Sequence, residues 1–319
     1  MKSSLAPIAR RIANSTRIAL LLFLGGLCSP MLARAEVSLP HVFGSHMVLQ
    51  REKPLTIWGW ASPNEKVTVT LGTATASAQA NGKGEWKVVL PAMKAGGPYT
   101  LTVSGSSTVT FDDVMIGEVW LCSGQSNMEF GIGNGNNAKE EIANANHPGI
   151  RLLMVDNHWD PQPQSDMKGA WKVCTPESVA QGGWNGFSAA GYFFGRELNE
   201  KLGVAVGLID ADWGGTRIES WTPPEGFAAV PALKNEYEKV QLSDPRTELH
   251  QQRLGQTLDE FEQWEKAARQ ALTAQAIVPP APNYPDELRA PHDLQQATAL
   301  FNGMIHPLAP FPIRGAIWY

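Results

Sequence analysis

The chain has 319 residues, 43% of them hydrophobic and 18% charged, and its 26 Lys and Arg against 31 Asp and Glu give a net charge of −5. That length allows about two ordinary domains, each with its own core. Thirty Gly and 23 Pro without a collagen period indicate many turns, the mildly acidic balance argues against a nucleic-acid partner, and the composition as a whole excludes a fibre, a coiled coil and a multi-span membrane protein.

In chain order, the first 35 residues read as a secretory leader. Lys2, Arg10, Arg11 and Arg17 form the basic region, Ile18 to Leu27 the apolar run, and Ala33-Arg34-Ala35 the cleavage site. The apolar run is too short to cross a bilayer comfortably. The expectation is therefore a periplasmic or secreted protein with no stable membrane insertion after cleavage. Cys28 leaves with the leader, so Cys122 and Cys174 remain, which is too few for a disulfide framework.

Residues 36–113 carry period-two alternation, as in Leu55-Thr56-Ile57-Trp58, Val67-Thr68-Val69-Thr70 and Trp86-Lys87-Val88. Ser62-Pro63-Asn64, Asn81-Gly82-Lys83-Gly84 and Gly96-Gly97-Pro98 supply turns between these runs, and the spacing predicts an antiparallel β-sandwich. The pattern changes at Val114. Val114 to Leu121 is nearly continuous apolar sequence, as expected of a strand buried on both faces. Asn137 with Glu140 predicts a capped helix start, and Ile150 to Val155 a strand. Ala190, Phe194 and Leu198 predict a helix closed at Gly203, and Val204 to Ile209 a further strand. This alternation specifies an α/β domain over 114–319 with a mostly parallel sheet. A helical insertion is expected at about 232–297. In it Asp244 caps a helix to about Val278, with Leu254, Leu258, Phe261, Trp264, Ala268 and Leu272 on one stripe.

Gly124-Gln125-Ser126-Asn127-Met128 follows the buried run, where α/β sheets gather their ligands. Ser126 lies on the first turn after that strand, and Gly124 permits a tight turn and close backbone approach. The motif is not the G-x-S-x-G elbow, because position 128 is Met. Together with His46-Met47-Val48-Leu49-Gln50, Gly117-Glu118-Val119-Trp120, Trp213-Gly214-Gly215-Thr216 and Phe301-Asn302-Gly303-Met304-Ile305, it resembles the sialate O-acetylesterases. Those are carbohydrate acetylesterases of the SGNH hydrolase superfamily, and Ile313 to Tyr319 continues the match.

The resemblance implies a flavodoxin-like SGNH hydrolase domain, incomplete here, behind the β-sandwich. It implies Ser126 as nucleophile and an oxyanion hole from the N–H of Ser126 with Gly214 or Gly215. Gln125, Asn127 and Glu219 are candidates for support or substrate contact. The implied reaction removes an O-acetyl ester from a sialic acid or related sugar through an acetyl-enzyme, so the expected partner is an O-acetylated sugar or glycan. Nothing in the sequence calls for a metal or cofactor. Two alternatives stay open: an acetylxylan or other hemicellulose acetylesterase, and a non-catalytic carbohydrate-binding protein or inactive relic. The resemblance also implies a Gln-Gly-Glu block and an Asp-x-x-His block beyond Tyr319, so the chain reads as the N-terminal part of a longer hydrolase. His306 is the internal histidine nearest a matching block, and its neighbour Pro307 favours a packed, hydrogen-bonded role.

Overall fold

The structure is a computed structural model that describes residues 36–319; the leader reading falls on residues outside this range. The chain forms β1 (Val48–Gln50), β2 (Leu55–Trp60), β3 (Lys66–Leu71), β4 (Ala74–Gln79), β5 (Glu85–Leu90), β6 (Gly96–Ser104) and β7 (Thr108–Gly124). Short helices α1 (Ser126–Glu129) and α2 (Ala138–Ala143) lead to β8 (His147–Met154) and β9 (Trp171–Cys174). After α3 (Pro176–Val179) and α4 (Ala189–Leu202) comes β10 (Val206–Asp212). Helices α5 (Ile218–Trp221), α6 (Pro224–Ala228), α7 (Lys234–Ser243) and α8 (Glu248–Thr273) precede β11 (Gly315–Trp318).

The 17-residue strand β7 organises this order. Its first half pairs antiparallel with β6, and β6, β3 and β4 continue outward as an antiparallel sheet. Its second half pairs in parallel with β10 from Glu118 to Gly124 and with β11 from Trp120 to Ser123. Beyond β10 lie β8, parallel, and β9, antiparallel. The strands β2 and β5 form a separate antiparallel pair. The burial pattern of β7 records its two settings. Residues of the first half alternate toward solvent, whereas from Val114 onward the strand is almost wholly covered. The apolar core does not stop at the change of pattern. Val67, Leu101 and Val103 of the antiparallel part belong to one packed cluster with Leu153, Ile209 and Met304.

Small residues set how closely the layers approach. A Cβ on Gly117 would meet the Ala205 carbonyl oxygen at 2.0 Å, so β7 and the segment entering β10 come together only because that position is bare. Helix α4 presents Ala189, Gly191 and Gly195 to the sheet, and a Cβ on Gly195 would strike Leu208 of β10. Its C-terminal end is as predicted, closed by Gly203 in the left-handed conformation at φ +63°, and at its other end Ser188 accepts the Gly191 N–H at 3.1 Å.

Other local expectations are revised. Asn137 precedes α2 with φ +58°, and its side chain makes no capping bond. Asp244 does not begin the long helix. It ends α7 and binds Arg246, while Thr247 caps α8 by accepting the His250 N–H. The physical reason is that the chain turns between two helices here, and Thr247 is the first side chain placed to reach an unpaired helix donor. The expected stripe on α8 is only half-buried, and Leu258 and Leu272 are exposed. The buried side chains of this helix are those of His250 and Thr257 instead. Cys122 and Cys174 are both buried and both free thiols.

The buried Gln50 closes β1 onto β7. Its Oε1 accepts the Val119 N–H at 2.8 Å and its Nε2 donates to the Arg51 carbonyl at 3.0 Å. Replacement by leucine of similar volume would strand both backbone groups. Gln50→Leu should lower the unfolding free energy by about 2 kcal/mol or more, read from denaturant unfolding; a loss within error of zero would mean these bonds are dispensable.

Candidate functional site

The carboxyl ends of β7 and β10 lie side by side, with Asp212 opposite Gly124 in register. The chain leaves β7 through Gly124, whose φ of +147° lies in a region that L side chains rarely adopt. A Cβ there would also fall 2.2 Å from the Tyr319 carbonyl oxygen, which accepts the Gln125 N–H at 3.1 Å. Glycine is therefore required twice, by conformation and by space. Ser126 begins α1, where helix geometry leaves its N–H without an intrahelical acceptor. Its hydroxyl donates to Gln125 Oε1 at 2.6 Å.

Leaving β10, the Gly214 turn comes back onto this helix. A Cβ on Gly214 would lie 3.4 Å from both Cα and Cβ of Ser126. The Gly214 N–H donates to Glu129 Oε2 at 2.8 Å, so Glu129, one turn beyond Ser126, ties the glycine turn to the serine helix. Gly215 has φ +74°, is exposed, and offers its carbonyl to Gln295 Nε2 at 2.7 Å. Of the remaining predicted residues, Gln125 touches Ser126 directly, whereas Asn127 is exposed. Glu219 is also exposed, and its backbone carbonyl accepts the Thr298 N–H at 3.0 Å.

The histidines have partners elsewhere. His41 pairs with Asp166, His46 with Asp113 and His147 with Tyr192. His158 lies near Asp160, and His250 and His306 bond the carbonyls of Leu242 and Gln164. His292 takes part through its backbone N–H to Gln296. The bond from His306 to Gln164 is the packed role its sequence setting suggested.

The sequence reading did not single out three carboxylates beneath the serine turn. Asp210 and Asp212 sit two residues apart on β10, each only 9% exposed, and with Glu129 they line a cavity of about 290 Å³. Asp210 Oδ2 accepts the Ser188 N–H at 3.2 Å, while Asp210 Oδ1 and Asp212 Oδ2 have no partner among the described residues. Burial pushes the Asp210 carboxyl up. It pushes Asp212 up further, helped by the neighbouring Asp210 charge and by Glu129. Burial, together with Asp210 and Asp212, also raises the Cys122 thiol well above its ordinary value. The signal was present in Ile209-Asp210-Ala211-Asp212: two acids in a strand otherwise apolar at every position. Among the described residues no group of three or more His, Cys, Asp or Glu is arranged to hold a metal ion. Likewise, no helix among them is long and apolar enough to cross a membrane.

With this geometry in hand, the chain compares with known proteins as follows. Residues 116–252 match the family model for carbohydrate esterases described as sialic acid-specific acetylesterase. The rat (Rattus norvegicus) sialate O-acetylesterase is 30% identical over 291 residues, covering 86% of this chain and 50% of the rat protein. The human (Homo sapiens) protein of the same name is 29% identical, over 86% of this chain and 46% of its own length. A crystal structure described as a novel carbohydrate acetylesterase from Xanthomonas citri superposes with a TM-score of 0.65 at 31% identity, covering 89% of this chain and 51% of that one. The chain thus spans about half the length of these relatives.

A carboxyl whose folded pKa is raised keeps its proton where the unfolded chain has already lost it. Stability then falls as pH rises from the ordinary carboxylate range until the folded group also ionises. Asp212→Asn removes that proton and should flatten the decline. Measured by urea unfolding at about pH 5 and about pH 8, the wild type should lose stability by up to roughly 1.4 kcal/mol per pH unit while the variant changes less. Equal slopes would show that the pair is not protonated as its burial requires.

Proposed function

The chain belongs to the sialate and carbohydrate O-acetylesterase family, and from that premise we propose that Ser126 is the nucleophile of a carbohydrate O-acetylesterase site. The observation that carries this reading is the placement of Ser126. It opens a helix at the carboxyl end of the central parallel strand, with the Gly214 turn packed against its Cα and Cβ.

In the proposed reaction Ser126 Oγ attacks the acetyl carbonyl carbon and gives its proton to a base. The carbonyl oxygen becomes an oxyanion, held by the Ser126 N–H and a glycine N–H of the 214–215 turn. Collapse breaks the ester C–O bond, the sugar oxygen takes the proton, and an acetyl group remains on Ser126 until water, deprotonated in turn, releases it as acetate. The Gly214 N–H serves only when Glu129 releases it, whereas Gly215 carries no such tie. Gln125, which holds the serine hydroxyl, is an amide and no base. The base in this reading is a histidine of the Asp-x-x-His block that the resemblance implies.

The same reading takes residues 36–113 as a β-sandwich and 114–319 as the N-terminal portion of a flavodoxin-like SGNH domain, with α7 and α8 in the insertion at about 232–297. It is supported by the change in the neighbours of β7 from antiparallel to parallel. Residues 1–35 would direct export to the periplasm or beyond.

A second substrate reading, a neutral acetylated sugar such as a hemicellulose unit, is favoured by the carboxylate cavity. Glu129, Asp156, Asp210 and Asp212 line it with no Lys, Arg or His beside them, so the carboxylate of a sialic acid would find no counter-charge there. Two measurements check these readings. A fluorophosphonate should label the protein on Ser126, and Ser126→Ala should abolish the label; unchanged labelling would remove Ser126 from the chemistry. With label established, acetate release from acetylated xylan fragments should exceed that from O-acetylated sialic acid by about tenfold or more, and the opposite preference would favour the sialate reading.

A further inference from the structure

Three cavities share walls. Asp156 and Asn157, which border the carboxylate cavity, also line a second one of about 380 Å³ together with His41, His158 and Lys168. Gln164 lines that second cavity and a third, of about 410 Å³. The third cavity has a different character. Its walls are Trp58, Trp60 and Trp86 from the β2–β5 pair, facing the turn at His306 and Pro307.

The aromatic wall is fixed rather than adaptable. Trp58 packs edge-on against Phe43 with ring centroids 4.7 Å apart, and Trp60 is pinned through its backbone by paired bonds with Ser38. Trp86 is only 3% exposed, yet its Nε1–H has no partner among the described residues. Trp86 itself lies on the core side of the β2–β5 pair, so Trp58 and Trp60, at the alternate positions, present the open aromatic faces. Glu85 and Lys87 supply one acid and one base beside the indoles, and Asn81 is tied to Glu85 through its side-chain amide. Apolar ring faces with a polar, charge-balanced edge suit a neutral pyranose, whose C–H faces lie on indole while its hydroxyls meet the polar groups.

We propose that this tryptophan-lined cavity is a remote glycan subsite, holding neutral sugar units of an oligosaccharide whose acetylated unit lies at Ser126. The link to Ser126 rests on the esterase reading above; sugar binding at the tryptophans does not. The substrate is then a chain of sugars that occupies the joined cavities, and a free acetylated monosaccharide fills only the end beside Ser126.

The test titrates the full chain with cellohexaose and xylohexaose while following tryptophan emission and its quenching by acrylamide. The expected result is a saturable change with at least one hexaose. Trp60→Ala should weaken it about tenfold, Trp60→Phe should keep it, and Ser126→Ala should leave it unaltered. On acetylated xylohexaose, Trp60→Ala should raise KM and leave turnover of p-nitrophenyl acetate unchanged. Emission of the unaltered protein that ignores both hexaoses overturns the subsite, whatever the variants do. So does a folded Trp60→Ala protein that binds like the wild type. Hexaose binding that depends on Trp60, with fluorophosphonate labelling unchanged in Ser126→Ala, supports the subsite and overturns the esterase reading alone.

Discussion

One strand must satisfy two environments, and the rest of the fold follows from that. The backbone groups of β7 are shared among β1, β6, β10 and β11, so a single run of 17 residues is edge-on to an antiparallel sheet and central to a parallel one. Buried backbone polar groups must be paired, and where a regular neighbour gives out a side chain takes over. Gln50 does so at Val119. The buried Glu118 similarly gathers Arg51 at 2.6 Å and Arg314 at 3.6 Å, joining the end of β1 to the approach of β11. Burying that carboxylate is tolerable because its charge is met by two guanidinium groups.

The same strand delivers the site. Because β7 and β10 are parallel and in register, their ends release two turns at the same level, one carrying Ser126 and the other Gly214. Glycine at 124 is required by the Tyr319 backbone beside it, and a Cβ at 214 would displace the Glu129 carboxylate. The bond from Glu129 to Gly214 then fixes their separation through a residue that belongs to the serine helix itself. Beneath them, Asp210 and Asp212 place two carboxyl groups where water is scarce. Such an arrangement costs stability and is retained in natural chains mainly where it serves a site. Here it lines a cavity beside the serine turn with carboxyl groups.

The character of the tryptophan-lined cavity is a matter of shape more than charge. The β2–β5 pair buries Leu55, Ile57, Val88 and Leu90 on one face, and Trp86 with them, which leaves Trp58 and Trp60 half-covered at the opposite positions of the strand. Period-two alternation therefore does two things in one segment. It builds the core and it lines a cavity with aromatic side chains.

Much of this was legible in the sequence because it depends on local periodicity and on residues with one permitted use. Alternation marked the strands from Leu55 to Val103, the apolar run from Val114 marked the buried half of β7, and Gly203 marked the end of α4. Gly124-Gln125-Ser126 announced a turn after a buried strand, and the spacing alone put Ser126 at its carboxyl end. The cap of α8 was misread because Asp244, Thr247 and their neighbours all have capping chemistry, and only the path of the chain selects among them. The contact between Gly214 and Ser126, the bond from Glu129, the meeting of three acids and the cavity walled by Trp58, Trp60 and Trp86 join residues distant in sequence. No periodicity encodes those distances. Sequence determined which segments become strands and which serine stands at a strand end; tertiary packing decided what surrounds it, because proximity across the sheet is set by strand order and register.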